Sequence, residues 1–206
     1  SAAENLKDQV VSKPERVSEY GTMILKESSR LSTLVNQVLN LAGIQTDQIK
    51  INKTSFTLDN LIDRISEKMN PLLDEATMHL QVSKPDTEEE IFADAEAMDH
   101  IFSNLIHNAI KYRLDNTNVK LLIELKENSW VFHVKDEGAG ISSEEQKHLF
   151  DAFFRGSTAT DRQISGNGLG LYLVKQLIER HDGTIRVQSK KDLGTTFTLT
   201  LPRHIA

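Results

Sequence analysis

Residues 104–112 read Asn-Leu-Ile-His-Asn-Ala-Ile-Lys-Tyr. On a helix, Asn104, Asn108, Lys111 and Tyr112 stand at i, i+4, i+7 and i+8, so one face gathers two carboxamides, an ammonium and a phenol. Asn is a poor residue for a helix interior, and two of them on one face call for a reason. A carboxamide oxygen is a neutral hard ligand, suited to a Mg²⁺ ion that already takes charge from phosphates. Lys111 would then meet phosphate oxygens as a point charge. Taken alone, the segment is equally a solvated polar face.

Two further segments carry groups that a ligand would meet. Asp136-Glu137-Gly138-Ala139-Gly140-Ile141 follows directly on an alternating run. A carboxylate at a strand end can accept from an exocyclic amine, and glycines beside it let a flat ring approach the backbone. An ordinary turn is the alternative, since Asp and Gly are common in turns. Gly166-Asn167-Gly168-Leu169-Gly170-Leu171 opens a helical pattern, where glycines allow N–H groups and the positive helix end to face an anion. Its spacing is neither the dinucleotide fingerprint nor the Walker A loop. A glycine-rich helix start without a ligand is the alternative. Between these segments lie Leu149-Phe150-Asp151-Ala152-Phe153-Phe154-Arg155-Gly156 and a polar run to Ser165. Three aromatics beside such a run suggest a hinge that docks and a loop that closes over a ligand, or aromatics entering the core, or both.

Elements must position these groups. Ser12 can cap a helix over 14–43, with Pro14 in its first turn and Glu15 as a capping-box partner. Val17, Tyr20, Ile24, Leu31, Leu34, Val38 and Leu41 then follow a near-heptad seam, and residues 1–11 read as the end of an earlier helix. Such a stripe favours a helical hairpin that dimerises into a bundle over two helices packed on their own domain. Beyond residue 48 the pattern changes. Strands are expected at 49–56, 78–83, 90–94, 120–127, 130–137 and in two runs after Gly183, and helices at 58–75, 95–112, around 144–150 and at 168–181. The mixture predicts an α/β sandwich with helices on one face of a sheet.

The totals narrow the function classes. The chain has 206 residues and a formal charge of −6, so clustered cations for a nucleic-acid backbone are not expected. Residues 1–50 are neutral and the whole deficit falls in 51–206. There is no cysteine, which removes disulfides, thiolate zinc sites and cysteine nucleophiles, and points to a reducing compartment. Eight of the ten glycines lie between Gly138 and Gly194, concentrating backbone freedom in the segments singled out above. No run is long and apolar enough for a membrane span or signal peptide. The first residue is Ser1, in a helical pattern, so an excised piece of a longer protein is expected.

Order and spacing together are more specific than any one motif. The sequence resembles the sensor histidine kinases of two-component systems: NLIHNAIKY is similar to their N box, DEGAG to the G1 box, LFDAFFRG to the F box and GNGLGL to the G2 box. Gly194-Thr195-Thr196-Phe197 with Leu201-Pro202 resembles their closing strand, and RLSTLVNQVLNLAGIQ the second helix of their dimerisation hairpin. The resemblance implies an α+β chain: a partial dimerisation and phosphotransfer hairpin at 1–48, then an ATP-binding catalytic domain of the Bergerat type at 49–206.

Carried onto matching positions, the resemblance implies that Asn108 coordinates Mg²⁺ with Asn104 assisting. Lys111 would contact phosphate and Tyr112 would pack beside the nucleotide. Asp136 would read the adenine amine, Gly138 and Gly140 would wall the pocket, and Thr195 would support it. Gly168 and Gly170, with Gly166 and Leu169, would present the lid to the phosphates, and Arg155 would reach the γ-phosphate. Asn104, Lys111 and Arg155 would carry the catalysis. The implied cofactors are ATP and Mg²⁺, and the implied partners are a response-regulator receiver domain and a second copy of the parent, with no nucleic acid. A cytoplasmic location is implied, any inner-membrane anchor of the parent lying outside these residues. The family's His-Glu-x-x-x-Pro phosphoacceptor motif is missing: His79, His100, His107, His133, His148, His181 and His204 all lack that context. The expectation is a chain that binds ATP and Mg²⁺ yet cannot phosphorylate itself.

Overall fold

A computed structural model describes residues 16–25, 28, 50–114, 117–161, 164 and 166–203. The chain divides into two compact units, Ser1–Ile49 and Lys50–Ala206. In the first, residues 16–25 are helical, with Val17, Met23 and Leu25 exposed. Apart from residue 28, the remainder of the expected hairpin, including the seam from Leu31 to Leu41, lies outside the described residues.

The second unit runs β1 (Thr54–Thr57), α1 (Leu58–Glu75), β2 (Leu80–Ser83), β3 (Glu90–Ala93), α2 (Ala95–Lys111), β4 (Val119–Lys126), β5 (Ser129–Asp136), α3 (Ser143–Gln146), α4 (Ser157–Asp161), α5 (Gly170–Arg180), β6 (Thr184–Ser189) and β7 (Thr195–Pro202). Five strands form one sheet in the order β2-β4-β5-β7-β6, parallel between β2 and β4 and antiparallel elsewhere. β1 and β3 make a separate antiparallel pair.

Alternation decides which sheet face is covered. Val119, Leu121 and Ile123 of β4, Trp130, Phe132 and Val134 of β5, and Phe197, Leu199 and Leu201 of β7 all point into the core. Against them pack Leu61, Ile65, Met69 and Leu73 of α1, Met98, Ile101, Phe102, Leu105 and Ile106 of α2, and Val174, Leu177 and Ile178 of α5. Phe102 meets Phe132 edge-on with ring centres 5.4 Å apart, a geometry worth about 1 kcal/mol beyond burial. Arg64 of α1 grips Asp99 of α2 with two parallel bonds of 3.1 and 2.6 Å, which fixes how the two helices lie together. This is the expected sandwich with its helices on one face.

Element ends are set by local chemistry. Thr57 caps α1 through the N–H of Asn60, and Asp94 caps α2 through Ala97, each worth about 1 kcal/mol. β1 starts at Thr54 rather than near residue 49, because ladder pairing begins only at Thr54 with Ala93. α5 starts at Gly170 rather than 168, since Gly168 has a φ of +73° that no α-helix contains. The helix expected around 144–150 is a four-residue turn ending at Gln146. α4, inside the polar run, was not expected. Among the described residues, no helix is long and apolar enough to cross a membrane.

Candidate nucleotide site

The carboxylate of Asp136 sits at the end of β5, buried to 9% exposure. Burial pushes its pKa up and neighbouring Glu137 adds to that, while N–H groups of Gly138 and Thr195 pull it down, and the net shift is upward. The Gly138 N–H reaches Oδ1 at 2.8 Å. Thr195 lies directly opposite on β7, so its side chain shares a sheet face with Asp136. Ala139 donates to the carbonyl of Tyr112 at 2.9 Å, tying this loop to the end of α2. Gly140 stands at φ +65°, where a Cβ would lie 2.0 Å from the carbonyl oxygen of Lys190, so only glycine fits.

The other end of the site is built on α2 and α5. Asn104 donates through Nδ2 to the carbonyl of His100 at 2.8 Å, and its Oδ1 faces α5 so closely that a Cβ on Gly170 would come within 2.7 Å. α5 begins without a side-chain cap and without an acidic residue in its first turn, which leaves its N–H groups and positive dipole end for an anion. One turn along α2 from Asn104 comes Asn108, half-buried, then Lys111 and Tyr112, also half-buried. Burial, then repulsion from Arg155, lowers the Lys111 pKa. Burial raises that of Tyr112, with Arg155 opposing. Among the described residues neither Lys111 nor Arg155 has a carboxylate partner, so these two neighbouring cations suit an anionic ligand.

Between the two ends runs the segment that carries Arg155. Gly168 accepts from the Phe153 N–H at 3.1 Å, and a Cβ on Gly168 would strike the backbone of Phe153 and Phe154 at 2.5 Å. The aromatic segment from Leu149 to Gly156 and the glycine-rich motif thus meet backbone to backbone. Phe150 enters the core edge-on to Phe197, whereas Phe153 is 64% exposed. Arg155 does not stand free: its Nη2 donates to the carbonyls of Ile164 at 2.6 Å and Ala159 at 3.5 Å. Gly166 is exposed in open space, and the Leu169 side chain is buried, so only its backbone can face a ligand.

The expected residues therefore converge in two groups, with Asp136, Gly138, Gly140, Thr195 and Tyr112 at one end and Asn104, Lys111, Arg155 and Gly170 at the other. Sequence reasoning missed the groups that hold them. Glu145 accepts from Ser142 and, twelve residues on, from both N–H and hydroxyl of Ser157 at 2.7 and 2.9 Å. These bonds bring its pKa down to about 2. Ser142-x-x-Glu145 was legible as a capping box, but the reach to Ser157 had no local signal. Ser189 and Gln146, which bond to the Asp136 loop, were likewise not singled out. Among the described residues no cluster of His, Asp and Glu side chains could hold a metal, so a Mg²⁺ ion here would depend on a carboxamide and on ligand oxygens.

A family profile for histidine kinase-, DNA gyrase B- and HSP90-like ATPases matches residues 93–205. The sensor protein SrrB of Staphylococcus aureus is 31% identical over 201 residues, which cover 97% of this chain and 34% of SrrB. The chain thus spans about a third of the length of the curated relatives it matches. Full-length ShkA, solved in complex with AMPPNP, superposes with a TM-score of 0.82 at 24% identity, covering 100% of this chain and 42% of ShkA. Histidine kinase ThkA, solved in complex with the response regulator protein TrrA, gives 0.74 at 22% identity, covering 96% of this chain and 54% of ThkA. These structural likenesses establish the fold.

Proposed function

The chain belongs to the histidine kinase-, DNA gyrase B- and HSP90-like ATPase family and is homologous to sensor histidine kinases, and on that basis we propose that it is the catalytic portion of such a kinase. In this reading it binds ATP with Mg²⁺ and directs the γ-phosphoryl to a histidine, for relay to a response-regulator aspartate. The observation that carries the reading is the Asn104 amide lying against the uncapped start of α5, with the Lys111–Arg155 cation pair close by. The acceptors Asp136 and Thr195 stand at the opposite end of the same site.

Bound ATP would supply the γ-phosphoryl group and leave as ADP. Asp136 accepts from the adenine amine, held by the N–H groups that already orient it. Tyr112 packs beside the base, and Gly138 and Gly140 keep the wall thin. Asn108 would offer a Mg²⁺ ion a neutral oxygen, with Asn104 assisting. Lys111 neutralises phosphate charge, and the loop from Gly166 to Gly170, Gly168 and Leu169 included, closes on the phosphates, the Leu169 N–H exchanging the Asn167 Oδ1 for a phosphate oxygen. Arg155 reaches the γ-phosphate by exchanging its carbonyl acceptors, Ile164 and Ala159, for phosphate oxygens. Catalysis of this kind is positioning and charge neutralisation of a group in flight.

Residues 1–48 are assigned to the dimerisation and phosphotransfer hairpin and 49–206 to the catalytic domain, an assignment supported by the division at Ile49 and Lys50. The exposed Val17, Met23 and Leu25 support a second copy as partner in the parent protein. The complex of ThkA with TrrA supports a receiver domain as the other partner. The 206-residue chain does not phosphorylate itself, since none of its seven histidines stands in a His-Glu-x-x-x-Pro context. The deciding experiment incubates the chain with γ-labelled ATP and Mg²⁺, alone and with a supplied hairpin that contains the motif. Label on the hairpin alone is expected. Acid-labile label on the isolated chain overturns the self-phosphorylation claim, and no nucleotide binding in either arm overturns the whole reading.

A further inference from the structure

Ser189, at the end of β6, holds three groups with one hydroxyl. Its Oγ accepts from the Ile141 N–H at 2.8 Å, donates to the carbonyl of Gly194 at 2.8 Å and lies 2.9 Å from the Thr195 Oγ1. Ser189 pairs with Thr195 across the sheet and Thr195 with Asp136, so the three side chains form a row over β6, β7 and β5 on one face. The surroundings fix the row. Gln146 donates to the carbonyls of Ile141 and Ser189 at 2.8 and 2.9 Å, and the Asp192 N–H donates to the Ala139 carbonyl at 2.8 Å.

Counting protons in this row decides the direction of every bond. A serine hydroxyl has one hydrogen and two lone pairs. The Gly194 carbonyl can only accept, so the Ser189 hydrogen goes there. The Ile141 N–H can only donate, so it takes one lone pair. The remaining lone pair faces Thr195, which must therefore donate its own hydroxyl hydrogen to Ser189. The opposite assignment would leave two lone-pair-bearing oxygens, Ser189 Oγ and the Gly194 carbonyl, 2.8 Å apart without a hydrogen between them. With its hydrogen committed inward, the Thr195 oxygen can only accept from a ligand, as can the Asp136 carboxylate beside it, whose Oδ1 already accepts from Gly138.

We propose that Ser189 is a positioning residue for base selectivity: by taking the Thr195 hydrogen it makes the base end of the site a pair of acceptors. The site then matches a purine with an amine at position 6 and opposes one with a carbonyl there. This deepens the nucleotide reading above and rests on it. Without Ser189, the Thr195 hydroxyl is free to turn and donate to a 6-oxo group.

The test is calorimetric titration of the whole chain with ATP and with inosine triphosphate, each with Mg²⁺. Wild type is expected to prefer ATP. Ser189→Ala is expected to lower the ratio of the two affinities by roughly two- to tenfold, the range of one hydrogen bond, and Ser189→Thr to restore it. Thr195→Val should lower the ratio as well, and adding Ser189→Ala to it should change the ratio no further. Equal weakening of both nucleotides in Ser189→Ala overturns the proposal, because mere loosening of the loop acts on both alike. If Ser189→Ala does not fold, an unchanged ratio in Thr195→Val overturns it. A wild type that prefers ATP with either result leaves the nucleotide reading standing, whereas a wild type that binds neither nucleotide overturns both.

Discussion

The buried ring of His181, just past the end of α5, accepts the backbone N–H of Asp94, the cap of α2, through Nε2 at 3.0 Å. Its Nδ1 lies 2.7 Å from the carbonyl of Leu177, so Nδ1 carries the proton and the ring is neutral. At 2% exposure, burial pushes its pKa down, outweighing the Leu177 bond, which acts the other way. A protonated ring would forfeit the bond from Asp94.

Stability should therefore fall as the solution is acidified from neutrality. The unfolded chain takes up a proton near the ordinary histidine value of about 6.5, before the folded chain does, so the unfolded state binds more protons there and gains. The urea midpoint is expected to drop between about pH 7 and pH 5. Histidine 181 contributes to that slope, and His181→Gln should show a smaller drop with a lower midpoint at pH 7. An identical slope in the variant would remove His181 from the account.

The carboxylate of Glu145 should act in the opposite part of the scale. Its pKa is held down to about 2, first by the Ser142 hydroxyl and then by the Ser157 N–H. The stability it contributes is present above its unfolded value and is lost as pH falls toward the folded one. Glu145→Gln places an N–H donor where donors already point, at a cost on the order of 2 kcal/mol. Amide exchange at Ser157 is expected to quicken more than exchange in the core strands.

Thr77 offers a stabilising change. It holds φ +56° just past α1, where its N–H bonds to Asp74 at 3.0 Å and the Met78 N–H to Leu73 at 2.8 Å. That is the bonding of a helix end that favours glycine, and a β-branched residue there is strained. Thr77→Gly should raise stability by about 1 kcal/mol in urea unfolding and leave nucleotide affinity unchanged.

Asp136 should show function bought against stability. Its pKa is raised, chiefly by burial, so its ionised form is penalised in the fold and that penalty shrinks as pH falls. Asp136→Asn removes the buried charge and can still accept from Gly138. Thermal unfolding is expected to move upward while ATP affinity falls at least tenfold, since a carboxamide is a weaker acceptor than a carboxylate. A variant that binds ATP as well as wild type would displace Asp136 from the base end.

The legible parts of this protein are those whose information is local. Periodicity placed α1 and α2 within a residue of their ends, because the apolar stripe repeats every turn; the caps Thr57 and Asp94 were not singled out. α4 had no such signal: the N–H and hydroxyl of its first residue, Ser157, are met by Glu145, twelve residues upstream, and not by a neighbour. The candidate site was legible as boxes, Asn104 to Tyr112, Asp136 to Gly140 and Gly166 to Gly170. The bonds that join one box to another were not.

Local rules along the chain set which residues can form helices, strands and glycine-rich loops, and so which chemistry is on offer, because propensity, capping and alternation act over a few residues. The folded arrangement alone sets β2 parallel to β4, stands Asp136, Thr195 and Ser189 in one row, and turns the Arg155 Nη2 to the carbonyls of Ile164 and Ala159. Those relationships depend on strand register and on hydrogen bonds between distant segments. Many registers satisfy the same local pattern, and the folded core selects one by burying a single face of the sheet.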